Sequence, residues 1–145
     1  MTKLNPAGTA LVYSTFVGGS DMEFGHGLAI DAAGNAYVTG TTKSSNFPTT
    51  AGAFDRSLNI PPNCPRCATD NTDGVAFKLN AAGSALSYST YLGGTDIDSP
   101  RGIAVDGTGN AYSADSFSVN IDNGGSMTVI GLKKGDIVTF GSVYA

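Results

Sequence analysis

KLNPAGTALVYSTFVGGSD, residues 3–21, and KLNAAGSALSYSTYLGGTD, residues 78–96, are the stretches that decide how this chain folds. They superpose at an offset of 75 positions, and the match runs on from GLAIDAAGNAY at 27–37 to GIAVDGTGNAY at 102–112. About 20 of the 35 positions from Lys3 to Tyr37 are identical, and most others are exchanges such as Phe16 for Tyr91 or Ile30 for Val105. Chance does not give such self-similarity, so each copy is one supersecondary unit.

Within a copy the pattern is that of strands. Residues 75–79 form a short run after the turn-prone Asp73-Gly74, and Asn80-Ala-Ala-Gly83 turns into a second run at 85–92. There Leu86, Tyr88, Thr90 and Leu92 share one face at period two. Gly93-Gly94 ends this hairpin; a third strand at 102–106 and a turn at Asp106-Gly-Thr-Gly-Asn110 lead to a fourth beginning at Ala111-Tyr112. The expectation is an all-β chain in which the four short antiparallel strands of one copy make one blade-like sheet. Residues 1–56 are then repeat one, with a shortened opening strand, 57–73 a Pro- and Cys-containing connector, 74–116 repeat two, and 117–145 a C-terminal β-hairpin segment.

KLNPAGTALVYSTFVGG, GLAIDAAGNAYVTGTT and NFPTTAGAF at 46–54 resemble the SBBP family of bacterial β-propeller repeats. The resemblance covers residues 3–54 and 75–112, about two thirds of the chain. It implies propeller blades in bacterial, usually exported, proteins, with little settled biochemistry. The second copy departs from it at Ser113-Ala114-Asp115-Ser116 and has no counterpart of NFPTTAGAF. From 117 onward apolar and polar residues alternate around Asn123-Gly124-Gly125 and Lys133-Lys134-Gly135-Asp136, with strands expected at 117–121, 127–130 and 137–140. GLKKGDIVTFGSVYA in this segment is similar to a β-hairpin of some tailed-phage coat proteins.

Composition bounds the function. The chain has 145 residues, 41% hydrophobic and only 14% charged, with a net charge of -4 and 20 glycines, which favours short strands and tight turns over long helices. A phosphate backbone is repelled on average, so nucleic acid is not an expected partner. No apolar run approaches the ~20 residues of a membrane span, and Met1-Thr2-Lys3 leads directly into repeat sequence.

Several residues invite a chemical reading. Cys64-Pro-Arg-Cys67 fits a redox pair, half of a zinc site or a local disulfide stapling an exposed loop. The disulfide is preferred, because no helix is expected to lower a thiol pKa and only His26 offers a further nitrogen ligand. His26 stands close in sequence to Asp21 and Glu23, but its repeat partner is Arg101, which points to a solvated blade edge. Asp31, Gly34 and Asn35 recur as Asp106, Gly109 and Asn110, and Asx-type turns explain them with fewer demands than calcium, which takes about six to eight oxygens. Tyr13, Phe16, Tyr37, Tyr88, Tyr91 and Tyr112 recur at matched positions, suiting either a glycan or peptide groove or packing between blades, the latter preferred. No catalytic, cofactor or metal residue is expected.

A propeller typically needs four to eight blades, so two copies leave apolar faces and strand edges that something must cover. Further blades of a longer chain, other chains in a ring or fibre, and a cap formed by 117–145 all remain open. The expected role is a non-enzymatic extracellular or cell-surface scaffold acting as a homo-oligomer, with a protein or glycan ligand allowed. A virion or filament subunit and a propeller-type hydrolase or lyase fragment are the rivals.

Overall fold

The computed structural model describes residues 1–59, 72–94 and 97–115, and every regular element among them is a strand. β1 (Thr2–Leu4) and β2 (Leu11–Ser14) form one hairpin, and β7 (Pro100–Val105) and β8 (Ala111–Asp115) another. Between them β3 (Glu23–Ile30), β4 (Ala36–Thr42), β5 (Asp73–Leu79) and β6 (Leu86–Tyr91) make an antiparallel four-stranded sheet in sequence order. The cysteine pair, the three strands expected after 116 and the coat-like hairpin lie outside the described residues.

The expected blade, four strands of a single copy, is not the sheet that forms. β3 and β4 belong to the first copy and β5 and β6 to the second, so the complete sheet straddles the two. β4 is buried at all but one position and needs a partner on each edge; it pairs with β3 from Ala36–Ile30 to Thr42–Glu23, and with β5 from Ala36–Leu79 to Thr42–Asp73. After β6 the chain does not return to that sheet's edge but lays β7 against β3 and β4.

Both flanking hairpins repeat halves of the complete sheet, residue for residue. Thr2–Ser14, Lys3–Tyr13 and Leu4–Leu11 are the pairs Phe77–Ser89, Lys78–Tyr88 and Leu79–Leu86 displaced by one repeat, bulge included. Gly102–Ala114, Ile103–Ser113, Ala104–Tyr112 and Val105–Ala111 likewise copy Gly27–Thr39, Leu28–Val38, Ala29–Tyr37 and Ile30–Ala36. The described chain is thus one whole blade between the closing half of one blade and the opening half of another.

Alternation divides the whole blade into two faces. Val75, Phe77 and Tyr91 point to one side, where Phe47 closes the core and Met1, Val17 and Leu58 pack around it. Tyr37 and Thr39 point to the other, toward the β7–β8 hairpin, where the Thr39 and Ser113 hydroxyls lie 3.2 Å apart. On β6 the deeply buried residues are Ser89 and Tyr91, while the expected face of Leu86, Tyr88, Thr90 and Leu92 is only half-buried. The segment after β4 accounts for this. Thr50 donates its backbone N–H to the Ser89 carbonyl, and Tyr91 donates to that of Asp55, so this loop lies along β6 as an irregular extra edge.

One glycine marks how closely β3 and β4 approach at their bulge. A Cβ on Gly40 would lie 2.1 Å from the Phe24 carbonyl oxygen and 3.1 Å from the Gly25 Cα, both backbone atoms. Gly40→Ala is expected to cost about 2 kcal/mol in urea unfolding, because overpacking forces the strands apart. An unchanged midpoint would show that the bulge yields freely.

Candidate functional site

The most developed polar assembly is built on the turn between β3 and β4. Gly34, at φ +84°, lets the chain reverse, and its N–H donates to the Asp31 carbonyl at 2.9 Å. Asp31 then gathers its surroundings: Oδ1 accepts from the Asn35 backbone N–H at 2.9 Å, and Oδ2 accepts from Asn35 Nδ2 at 2.8 Å and the Tyr37 hydroxyl at 3.2 Å. From the neighbouring strand Lys78 Nζ reaches Asp31 Oδ2 at 3.3 Å and donates to the Tyr37 hydroxyl at 2.5 Å, lying 4.5 Å from the centre of that ring. The Asn35 side chain and these neighbours hold the Asp31 carboxyl well below the usual carboxylate range, and the Tyr37 and Asp31 contacts raise the Lys78 ammonium. Asn35 Oδ1 also accepts from the Ala81 N–H, tying the β3–β4 turn to the β5–β6 turn.

The second copy reproduces this turn with one member missing. Gly109 has φ +91°, and Asp106 accepts from Asn110 N at 2.9 Å, Asn110 Nδ2 at 2.7 Å and the Tyr112 hydroxyl at 3.1 Å. Thr108 adds two further bonds, and Asp106 too is held far below the ordinary carboxylate range, chiefly by Asn110. No cation meets it among the described residues. Asp31, Gly34, Asn35, Asp106, Gly109 and Asn110 therefore act together as turn builders, each turn offering a single carboxylate. Lys78 escaped the sequence reading as part of this group, although its identity with Lys3 in the other copy was the available signal.

The recurring aromatics do not share one fate. Tyr37 and Tyr91 are fully buried, Tyr13 and Tyr88 half-buried, and Tyr37 and Tyr88 meet edge to face at 6.2 Å. Phe16 and Tyr112 are 101% and 60% exposed, so the expected aromatic core stops at the whole blade. The cause is the missing half-sheets: Tyr91 has Phe47, Val75 and Phe77 around it, and its counterpart Phe16 has no such shell among the described residues.

His26 lines a cleft of about 380 Å³ with Met1, Val17, Phe24 and Phe47, and its Nε2 lies 3.3 Å from the Thr41 hydroxyl. The acids close to it in sequence are occupied elsewhere. Glu23 Oε1 accepts from Gly19 N–H and the Thr42 and Ser44 hydroxyls, and Asp21 Oδ1 accepts from the Met22 N–H. Among the described residues no three His, Cys, Asp or Glu side chains are grouped to hold a metal ion. No helix there is long and apolar enough to cross a membrane.

No curated protein matches this chain. The comparison with family models does find a match, to the SBBP beta-propeller repeat, at residues 12–48 and again at 87–114. The two matches begin 75 residues apart and fall on the two copies, so the chain carries two SBBP-type β-propeller repeats.

Proposed function

We propose that this chain is a non-enzymatic β-propeller-type scaffold, acting outside the cell or at its surface, whose working form is an assembly of several chains. The observation that carries this reading is the division into one whole blade and two complementary half-blades. An unpaired edge strand is a template for another chain's strand, and β1 and β8 each present one among the described residues. A role without catalysis is supported by the commitments of the two titratable groups that share the cleft: Glu23 Oε1 is taken by the Gly19 N–H and the Thr42 and Ser44 hydroxyls, and the His26 ring meets the Thr41 hydroxyl. The exposed Phe16 and Phe54 offer aromatic surface for a protein or glycan ligand.

Light scattering on the purified chain is expected to give a mass of two or more chains that falls on dilution. A monomeric mass at every concentration, with one cooperative unfolding transition, would overturn the proposal. A filament subunit is the second reading, favoured because unlike edges join head to tail, and such contacts grow into fibres when the rotation between neighbours fails to close. Negative-stain images separate the two, showing extended fibres in one case and discrete particles in the other.

A further inference from the structure

Among the described residues the opening half-blade β7–β8 lacks the two strands that β5 and β6 supply to the whole blade, and the closing half-blade β1–β2 is built from the repeat counterparts of those two strands. We infer that β8 of one copy pairs with β1 of a second copy, giving a composite four-stranded blade across the interface. The inference rests on the assembly reading above and names the surface through which assembly occurs.

The register follows from the β4–β5 ladder. Ala36–Leu79, Tyr37–Lys78 and Val38–Phe77, displaced by one repeat, become Ala111–Leu4, Tyr112–Lys3 and Ser113–Thr2 between copies. Side-chain chemistry agrees with that register. Asp106, Asn110 and Tyr112 hold the geometry that Asp31, Asn35 and Tyr37 hold around Lys78, and among the described residues only the ammonium is missing. Lys3 is the repeat counterpart of Lys78, is exposed, and bonds no carboxylate among the described residues. Docked, its Nζ meets the Asp106 carboxylate and the Tyr112 hydroxyl of the neighbour, a charge-assisted pair set on an edge already shaped for it. One bond does not carry over: Pro6 stands where Ala81 donates its N–H to Asn35.

A second observation points the same way. Ile103 and Val105 are half-buried where β7 packs on β3 and β4, whereas their counterparts Leu28 and Ile30 are 59% and 56% exposed. A β7–β8 hairpin joined to β1 comes to lie over Leu28 and Ile30, covering them together with its own exposed Tyr112. In the chain itself the Tyr37 hydroxyl, whose proton is shared with Asp31, lies 3.4 Å from the Gly109 carbonyl across two sheets. The matching contact between copies is Tyr112 to the Gly34 carbonyl. Each chain then contributes one blade of its own and one shared blade, so a closed ring of the usual four to eight blades holds about two to four chains.

The test mixes Leu4→Cys chains with Ala111→Cys chains under mild oxidation and maps disulfide-linked peptides by mass spectrometry. The L4C–A111C link is expected to dominate, and L4C mixed with S113C, two positions out of register, to give much less. Lys3→Glu, at an exposed position outside the core, is expected to weaken assembly by about tenfold or more, the worth of one charge-assisted bond, with an unchanged circular dichroism spectrum. An oligomer that forms no L4C–A111C link and ignores K3E overturns this interface while leaving assembly standing. A monomer, with β8 covered by the chain's own residues 117–145, overturns both.

Discussion

Tyr91→Ala is expected to remove about 4 kcal/mol of stability, and Phe16→Ala less than about 0.5 kcal/mol, although the two residues occupy the same place in the repeat. Tyr91 is fully buried, with Phe47 edge-on at 6.1 Å and Val75 and Phe77 completing its pocket. Its hydroxyl donates to the Ser44 carbonyl at 2.5 Å and accepts from the Phe47 N–H at 3.1 Å, so it also anchors the loop that follows β4. Alanine there leaves a cavity and strips two buried backbone groups of their partner. Tyr91→Phe isolates the second effect and is expected to cost about 1–2 kcal/mol. Phe16 is wholly exposed, so its removal leaves no cavity. The comparison is made by urea unfolding at a dilution where the chain is dissociated. Equal losses at the two positions would mean that the half-blade is as well packed as the whole one, against the burial described here.

That contrast shows where the sequence was legible. The strands, their antiparallel pairing and the turns at Gly34, Gly83 and Gly109 could be read because alternation and positive-φ glycine are local properties. The phase of the blade could not. A periodic sequence looks the same from any starting point, and identity between copies does not say whether β5 pairs within its own copy or with the strand before it. That choice is made by burial at β4 and by the loop that carries Phe47 into the core, neither of which has a periodic signature. The aromatic positions misled for the same reason: the repeat equates Tyr91 with Phe16 and Tyr37 with Tyr112, while the fold completes only one blade around them. Of the candidate site, the Asp–Gly–Asn turns were visible as a spacing. Lys78 was not, since it approaches from another strand and only the β4–β5 register brings it to Asp31.

Asp73→Asn is expected to raise stability at pH 7–8 by about 3 kcal/mol and to flatten the pH dependence between about pH 4 and 6. Asp73 opens β5, is almost fully buried, and is pushed up to about 6 by burial, with the nearby Asp98 and Asp55 charges adding to the effect. The backbone N–H groups of Asn59 and Gly74 oppose the shift without cancelling it, and Asp73 Oδ1 has no hydrogen-bond partner among the described residues. The folded state therefore holds the Asp73 proton more tightly than the unfolded chain, whose carboxyl has the ordinary value of 3.8. Its contribution is fully present below about pH 4 and is lost as the pH rises through about 6. Asp31, Asp55 and Asp106, all shifted downward, run the opposite way, contributing above their unfolded range and losing that contribution as acid protonates them. The two tendencies cancel between about pH 4 and 5, and above that range the Asp73 loss dominates. Asparagine keeps an acceptor for the Asn59 N–H and carries no charge to bury, so the variant should match the parent near pH 4 and exceed it increasingly up to pH 7. Urea midpoints across that range provide the measurement, and a variant weaker than the parent by a constant amount at every pH would show that the Asp73 charge is fully compensated in the fold.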